Sequence, residues 1–229
     1  MQLHKYDITL SRLTEDDIEM VRQWRNSQQI RQFMEYREEI TPEMQKKWFE
    51  SINDFYNFYF IIEFEGEKIG LINTSKANYD DQSSEGGIFL WDDKYYETFV
   101  PVWASLLLLE TNLFLFDARK SYIKTLHDNE RAKRLNLHLG YELMEGQENE
   151  YNQEYKLTRE NFIKKARKLI QAASLLSEDR GRDHWIFYNN EDIRSGLYDF
   201  MKEKMNREFI KSEEDTPEGK YIYIEPTPF

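Results

Sequence analysis

The chain has 229 residues, a formal net charge of −12 and no Cys. This length permits one large domain, or a domain of ordinary size with an appendage, around a proper hydrophobic core. Without Cys the protein has no disulfide, no thiolate nucleophile and no cysteine metal site, and a reducing compartment is permitted. The negative charge argues against nucleic acid as a partner, because the Lys and Arg residues are scattered among acidic residues.

The N-terminal residues 1–7 contain no apolar stretch, so they do not resemble a secretion signal and we expect a cytoplasmic protein. The longest apolar run, residues 99–116, is interrupted by Glu110, Thr111 and Asn112. It is shorter than the roughly 20 apolar residues that span a bilayer. The run therefore predicts a buried core helix, and we expect no membrane partner.

The first half of the chain begins with alternating apolar and polar side chains at residues 8–13, which predict a short strand. Thr14 then caps a helix whose apolar residues recur at helical spacing. Thr41-Pro42 starts a second helix, with Thr as the cap and Pro at the first helical position. Residues 57–64 and 69–74, rich in aromatic and β-branched side chains, flank a short turn and predict a hairpin.

Strands and helices alternate in the next part of the chain. The patterns predict, in order, a strand at 86–91, a buried helix at 100–116, a strand at 121–126, a helix at 130–139 ended by Gly140, and a strand pair at 141–144 and 151–157. Antiparallel strands followed by this alternation predict the α/β (α+β) class. We expect a mixed, mostly antiparallel twisted sheet with a central parallel strand pair and helices on both faces.

Beyond Thr158 the pattern becomes helical. Apolar residues recur at helical spacing within residues 162–176 and again within residues 193–205. We therefore predict a main domain at 1–157 and a helical C-terminal extension at 158–229. The run Tyr221-Ile222-Tyr223-Ile224 in the tail is assigned to no element.

Two stretches of sequence point to a family. The first is Trp24-Arg25-Asn26 with Ile30, Met34, Ile40 and Trp48 after it, and the second is Asp128-Asn129-Glu130-Arg131-Ala132 followed by Leu139-Gly140-Tyr141. Together with the order of elements, they resemble the GNAT superfamily of N-acetyltransferases over roughly residues 6–157. The first stretch is similar to the opening of the subgroup that acetylates ribosomal-protein N-termini or the amino group of nucleotide-linked amino sugars.

The resemblance implies an acyl-CoA-dependent N-acyltransferase that uses acetyl-CoA as the acyl donor. No metal is expected, and the four His residues show no metal-binding spacing. The implied acceptor is a primary amine of a small molecule, with a nucleotide-linked amino sugar as the first candidate and a protein N-terminus as the alternative. The hypothesis from another class is a GNAT-like module without catalysis, which binds or assembles through its C-terminal segment. A homodimer is compatible with either.

Coenzyme A carries a pyrophosphate, which binds N–H groups at a helix N-terminus, and a pantetheine arm, whose amides pair with a strand edge. The strand at 86–91 and the helix beginning near Val100 supply both, and the expected cofactor-binding residues are Phe89, Leu90, Trp91, Thr98, Val100, Asn129 and Ala132. The family's Gly-rich turn is missing, because the matching residues 94–101 contain no Gly. Acidic side chains in and beside this stretch would also repel phosphate. Asn129 is either a helix cap alone or a cap that also contacts the cofactor.

Acyl transfer to an amine needs a proton acceptor for the amine and a proton donor for the leaving thiolate. Glu85 is the candidate base, acting through water, and a surface carboxylate is its other interpretation. Many family members carry a Tyr as the acid where this chain has Asn136. Water or another hydroxyl, such as Tyr141, Tyr95 or Tyr96, must then supply the proton. The sequence does not select among them, and Tyr141 is the one we name as the candidate acid.

Three residues are candidates for binding the acceptor: Arg25, Asn26 and Asn73. Arg25 and Asn26 end the first predicted helix, where they either line an acceptor groove or cap the helix and pair locally. Asn73 lies in the second strand of the predicted hairpin.

Overall fold

Strands form the central layer of the protein, and the computed structural model describes residues 1–226. Within these residues a single sheet contains eleven strands, in the spatial order β10-β11-β9-β1-β2-β3-β4-β5-β6-β8-β7. The strands are β1 (Gln2–Lys5), β2 (Ile8–Arg12), β3 (Phe58–Phe64), β4 (Glu67–Asn78), β5 (Ser83–Leu90), β6 (Lys120–Leu126), β7 (Glu142–Leu143), β8 (Asn152–Thr158), β9 (Trp185–Asn189), β10 (Ile210–Thr216) and β11 (Gly219–Ile224).

One pair of strands differs from the rest of the sheet. β5 and β6 run parallel, with Ser83 opposite Lys120 and Gly86 opposite Ile123 at the ends of their register. The other paired strands within residues 1–226 are antiparallel. The predicted mixed, mostly antiparallel sheet with a parallel pair is therefore confirmed.

Helices cover both faces of this sheet, as the sequence predicts. They are α1 (Ile18–Asn26), α2 (Gln28–Arg31), α3 (Pro42–Ile52), α4 (Val100–Glu110), α5 (Glu130–Leu139), α6 (Arg159–Leu176), α7 (Asn190–Arg194) and α8 (Leu197–Lys204). α1 and α3 contribute Val21 and Phe49 to a hydrophobic cluster on one face. α4 and α6 contribute to a larger cluster on the other face, with Leu107 and Phe162 among its fully buried members.

The predicted buried helix at residues 100–116 is α4 followed by a π-helical turn, Thr111–Leu115. Every residue of α4 except Val102 is buried. A helix that is apolar all round is expected where a core surrounds it on all sides. The polar residues within the apolar run are buried too at Glu110 and Thr111, so each must find a partner inside the protein.

α5 begins and ends at the residues that the sequence predicts. The Asn129 side chain accepts a hydrogen bond from the Ala132 backbone N–H at 3.1 Å, which caps the first turn. Gly140 ends the helix with a φ of 100°, a left-handed conformation that favours glycine. A Cβ at Gly140 would also lie 2.8 Å from the Asn161 carbonyl oxygen, so this turn allows no side chain.

The C-terminal segment departs from the expected all-helical extension. It contains α6, α7 and α8, but three strands accompany them, and β9 pairs antiparallel with β1. The sheet therefore continues from the main domain into this segment. The sequence patterns did not predict these three strands, and the unassigned run at 221–224 belongs to β11. Gly196, at a φ of 82°, splits the helix expected at 193–205. The last three residues of the predicted extension, 227–229, lie outside the described residues.

A buried ion pair joins the N-terminal strand to the central helix. The Lys5 ammonium lies 2.5 Å from the Glu110 carboxylate, and the Tyr6 hydroxyl donates to the other oxygen of Glu110 at 2.7 Å. Burial, reinforced by the adjacent Glu110 carboxylate, raises the pKa of Tyr6 far above its usual range, so its hydroxyl remains a donor. The three side chains fix β1 and β2 against the C-terminal end of α4.

Removing the carboxylate from this ion pair should destabilise the fold strongly. In Glu110→Gln the Lys5 ammonium stays buried without a counterion, and we expect the free energy of unfolding to fall by about 3–5 kcal/mol. Urea denaturation followed by Trp fluorescence measures the change.

Two variants serve as controls for this measurement. Lys46→Met breaks an exposed ion pair, Lys46 to Glu15 at 3.7 Å, and should cost under about 1 kcal/mol. The double variant Lys5→Met/Glu110→Leu buries no charge and should recover most of the stability. If Glu110→Gln and Lys46→Met lowered the free energy of unfolding equally, burial would not be what makes the Lys5–Glu110 ion pair costly to break.

Candidate functional site

The parallel strands β5 and β6 pair over only part of their lengths. Their register ends at Gly86 opposite Ile123, whereas β5 continues to Leu90 and β6 to Leu126. A cavity of about 900 Å³ lies at this divergence and is lined by residues of both strands. It is large enough for a drug-sized ligand or a cofactor.

The cavity is continuous across the sheet. Its lining includes Leu71 and Phe89, which belong to the cluster under α1 and α3, and Ile72 and Leu90, which belong to the cluster under α4. Successive residues of a strand point to opposite faces, so these neighbours mark the two sides of the sheet. We call the part on the α4 and α5 side the donor chamber and the part on the α1 and α3 side the acceptor chamber.

The diverging end of β5 presents backbone groups to the donor chamber. The Trp91 N–H donates to the Ile69 carbonyl of β4. Because the backbone groups of successive residues in a strand point to alternate sides, the N–H and C=O of Leu90 and of Ile88 point away from β4. The Tyr96 hydroxyl already bridges both backbone groups of Leu90, at 3.0 and 2.7 Å. Ile88 is therefore the residue whose N–H and C=O are placed to pair with an amide in the cavity.

Five of the seven expected cofactor-binding residues line the cavity: Phe89, Leu90, Thr98, Asn129 and Ala132. The other two lie elsewhere. Trp91 stacks on Trp24 with ring centroids 5.9 Å apart, and its indole N–H donates to the Lys68 carbonyl at 2.8 Å. Val100 packs in the core under α4. Trp91 therefore packs under α1 and Val100 in the core on the α4 side, and neither lines the cavity.

The N-terminus of α4 offers few free N–H groups. Pro101 has none, and the Val100 N–H donates to the Thr98 hydroxyl at 3.2 Å. Positive charge comes instead from α5, where Arg131 and Arg134 line the cavity. Sequence reasoning did not assign these two arginines, although their positions after the Asn129 cap put them in the first turns of α5.

The acidic residues in the loop before α4 are partly neutralised by neighbouring basic side chains. Asp93 lies 3.4 Å from the Arg131 guanidinium, and Asp92 lies 3.3 Å from the Lys94 ammonium. Arg131 also stacks over the Tyr96 ring at 4.3 Å. The repulsion of phosphate that the acidic loop predicts is therefore reduced by its own ion pairs.

The structure brings Arg25 and Asn73, but not Asn26, to the acceptor chamber. The Asn26 amide donates to the Ile40 carbonyl and accepts from the Ile40 N–H, both at 2.8 Å. These two bonds hold the segment after α2 against α1, which is a structural role. Asn73 donates to the Ser75 hydroxyl at 3.1 Å.

Arg25 is a cation without a counterion. Within residues 1–226 it forms no ion pair, and its guanidinium lies 5.9 Å from the centroid of the Phe89 ring. Burial lowers the pKa of Arg25 below its usual value, which indicates that the surroundings do little to compensate its charge. An uncompensated, half-buried charge is costly, so a ligand that supplies an anion here would be favoured.

The two catalytic candidates have different outcomes. Glu85 does not line the cavity, and its carboxylate oxygens lie 2.8 and 2.9 Å from the Lys76 ammonium. Tyr141 does line it, and its hydroxyl shares a 2.8 Å hydrogen bond with Ser121. Burial raises the pKa of Tyr141 to about 12, so its hydroxyl remains protonated near neutral pH and is available as a proton donor rather than as a base.

The residue at the expected position of the acid is tied into the fold. The Asn136 amide donates to the Thr125 hydroxyl at 3.0 Å. Of the alternative hydroxyls, Tyr95 donates to Glu67 at 2.8 Å and Tyr96 is held by Leu90. Among the three tyrosines considered as the acid, Tyr141 is thus the one whose hydroxyl is not committed to a carboxylate or to the backbone.

A family comparison agrees with this geometry. The family model described as the acetyltransferase (GNAT) domain matches residues 7–142, more than half of the chain. The chain belongs to this family. The resemblance seen in the sequence is confirmed.

Solved structures with the same fold are distant in sequence. Spermidine N-acetyltransferase from Vibrio cholerae, in complex with CoA and spermine, is 18% identical, with a TM-score of 0.60 over 69% of this chain and 98% of that one. FdhC, a nucleotide-linked sugar GNAT, is 16% identical, with a TM-score of 0.61 over 74% and 96%. A domain from Methanocaldococcus jannaschii is 21% identical, with a TM-score of 0.56 over 66% and 97%. No curated protein sequence matches the chain.

Two features are absent from the described residues, 1–226. They contain no helix with the length and apolarity needed to cross a bilayer. Nor do they bring three His, Asp or Glu side chains together as ligands for a metal ion.

Asn129 can be tested for a role beyond capping by a matched pair of variants. Asn129→Ala removes the cap and should lower the free energy of unfolding by about 1 kcal/mol. Asn129→Asp keeps a good cap but adds a negative charge beside the cavity, so it should retain stability and weaken coenzyme A binding. Thermal melts and calorimetric titration with coenzyme A measure both. Undiminished binding by Asn129→Asp would show that Asn129 is a cap alone.

Proposed function

We propose that this protein is an N-acyltransferase that moves an acyl group from coenzyme A to the primary amine of a small anionic molecule. The observation that carries the proposal is the cavity at the divergence of β5 and β6, which opens to both faces of the sheet. A donor on one side and an acceptor on the other would meet in the gap between the strands. Holding two reactants in this way supplies much of the catalysis in an acyl transfer.

The donor chamber suits coenzyme A. Its pantetheine amides would pair with the backbone of Ile88, and its phosphates would lie near Arg131, Arg134 and the capped start of α5. These features replace the Gly-rich turn that the chain lacks.

The chemistry proposed for this site needs few protein groups. The amine nitrogen attacks the thioester carbonyl carbon, a C–N bond forms, the C–S bond breaks, and coenzyme A leaves. The carboxylates that line the cavity within residues 1–226 are Glu35 and Glu97, and both are exposed. We therefore assign the amine proton to water in the cavity. The hydroxyl pair of Tyr141 and Ser121 is the candidate donor to the leaving thiolate.

Arg25 supports an anionic acceptor. A polyamine would bring further positive charge to a site that already holds an unpaired guanidinium. A nucleotide-linked amino sugar carries phosphates that would pair with Arg25, and its base would contact the aromatic side chains of Trp48 and Tyr59 in the same chamber. This class of acceptor is therefore preferred over polyamines and over protein N-termini, which also carry positive charge.

Arg25→Met tests this preference. Loss of a buried ionic hydrogen bond costs about 1.5–3 kcal/mol, so kcat/KM for UDP- or dTDP-linked amino sugars should fall roughly 10- to 100-fold. Thiol release from acetyl-CoA, followed with a thiol-reactive chromophore, gives the rate. Spermidine should remain a poor substrate of the wild type.

The matched control for that experiment is Arg167→Met, which removes an exposed arginine of α6 outside the cavity. It should leave both kcat and KM unchanged. A wild-type enzyme that prefers spermidine, or an Arg25→Met variant as active as the wild type, would overturn the assignment of an anionic acceptor.

Donor binding itself is tested by calorimetric titration with acetyl-CoA and with coenzyme A. We expect saturable binding at one site, together with a rise in melting temperature that grows with ligand concentration. No heat and an unchanged melting temperature at high ligand concentration would instead favour a GNAT-like module without catalysis, as the missing Gly-rich turn suggests.

A further inference from the structure

One buried amide on α3 has no hydrogen-bond partner for its nitrogen. Gln45 is 4% exposed, and its side-chain nitrogen makes no hydrogen bond within residues 1–226. The next two residues of α3, Lys46 and Lys47, are exposed, as is usual for polar residues of a surface helix. An unpaired buried polar group costs free energy, so the burial of Gln45 needs a reason beyond folding.

The location of Gln45 distinguishes it from the other unpaired groups. Within residues 1–226 three further buried side chains have a polar atom without a partner: Ser177, His184 and Tyr188. None of these three lines the cavity at the divergence of β5 and β6, whereas Gln45 does. Because Gln45 belongs to α3, it is part of the wall of the acceptor chamber, where a ligand would supply the missing partner.

Two helices build the wall that contains Gln45. Met44, Gln45 and Trp48 of α3 line the cavity, as do Val21 and Arg25 of α1. Both helices contribute to the same hydrophobic cluster, which fixes them over the sheet. The acceptor chamber thus offers one ligand two different groups, the Arg25 cation and the uncharged Gln45 amide.

An aromatic surface lies next to this amide. Trp48 follows Gln45 by three residues, and residues three apart on a helix lie side by side. The Trp48 ring meets the Tyr59 ring at an edge, with centroids 5.1 Å apart and planes at 81°. Both residues are half-buried and line the cavity. A planar heterocycle stacked on Trp48 would bring its polar edge to Gln45.

The chemistry of the amide restricts what that edge can be. A glutamine side chain presents an NH₂ donor beside a carbonyl acceptor. The unpaired nitrogen needs an oxygen acceptor, and the Gln45 oxygen beside it can accept from an N–H. The imide edge of uracil or thymine has an N–H between two carbonyl oxygens, so it matches the amide from either side. A phosphate offers acceptors only and matches the Arg25 guanidinium better.

We propose that Gln45 determines the specificity of the acceptor site for a uracil- or thymine-type base. The base stacks on Trp48, the Gln45 amide donates to a carbonyl oxygen of the base and accepts from its N–H, and the phosphates of the same nucleotide bind at Arg25. The inference rests on the proposed function, because it names the part of the acceptor that this chamber binds. Gln45 takes no part in the bonds that form and break.

Gln45→Met tests this role against a structural one. Methionine has a similar volume but no polar group, and the amide nitrogen has no partner in the fold to lose. We therefore expect an unchanged or higher melting temperature, a KM for the UDP-linked amino sugar raised about tenfold, and a kcat within about twofold of the wild type. A lower melting temperature with an unchanged KM would mean that Gln45 serves the fold, and would overturn the inference.

Lys47→Met is the matched control for this variant. It places the same residue on the same helix, at an exposed position outside the cavity. Melting temperature, KM and kcat should all stay at their wild-type values. A rise in KM equal to that of Gln45→Met would overturn the inference, because the effect would not depend on the position in the chamber.

Calorimetric titration with UDP and with 3-methyl-UDP tests the edge of the base and needs no turnover. The methyl group replaces the N–H from which Gln45 accepts. In the presence of coenzyme A, the wild type should bind UDP at least about tenfold more tightly than 3-methyl-UDP, and Gln45→Met should bind the two within about twofold of each other. Arg25→Met should weaken the binding of both nucleotides by a similar factor and keep the preference for UDP.

The outcomes separate this inference from the proposed function. Equal binding of UDP and 3-methyl-UDP by the wild type would overturn the inference. So would tighter binding of CDP than of UDP, or no UDP binding by a protein that binds acetyl-CoA and acetylates another amine, and each of these leaves the acyl transfer intact. A protein that neither binds acetyl-CoA nor releases thiol with any acceptor would overturn the proposed function, and the inference with it.

Discussion

The partial pairing of β5 and β6 is the constraint on which the rest of the structure depends. Two parallel strands that separate after Gly86 and Ile123 leave backbone groups unpaired in the middle of a large sheet. Buried backbone groups require partners, so a site of this kind is stable only where solvent or a ligand reaches it. The same gap gives access to both faces of the sheet, which is what a transfer between two separate reactants requires.

α4 keeps this gap in place. The helix is buried almost throughout, and its C-terminal end is fixed by the Lys5, Tyr6 and Glu110 network. A buried ion pair contributes little net stability, but it is expensive to break and specifies one arrangement of its elements. Here it joins the N-terminal strands to the helix that lines the donor chamber. The C-terminal segment also holds β1 in place, because β9 pairs with the edge of β1 that β2 leaves free.

The two chambers differ in how their arginine side chains are compensated. The donor chamber has arginines on α5 whose neighbours include acidic residues, so its positive charge is moderate. Within residues 1–226 the acceptor chamber has one half-buried arginine without a counterion, in a largely apolar and aromatic lining. Desolvation makes that single charge more discriminating than several exposed ones would be. Solved structures of the same fold include a spermidine N-acetyltransferase and a nucleotide-linked sugar GNAT, and Arg25 is the residue on which the proposed preference for an anionic acceptor rests.

The sequence by itself determined the family, the sheet type and the elements with strong local signals. α5 is the clearest case, because the Asn129 cap and Gly140 act within one helix and need no distant partner.

Tertiary structure decided which of the candidate residues line the cavity and how the C-terminal segment folds. Trp91 and Asn26 look like site residues in the sequence but are held by Lys68, Trp24 and Ile40, which lie far from them along the chain or on another element. β1 and β9 were not predicted from local pattern, and each is a strand through its pairing, β1 with both β2 and β9 and β9 with β1 and β11. The main cavity likewise exists only where separate elements meet, so local pattern could not show that Arg25 lines it without an ion pair to any of residues 1–226.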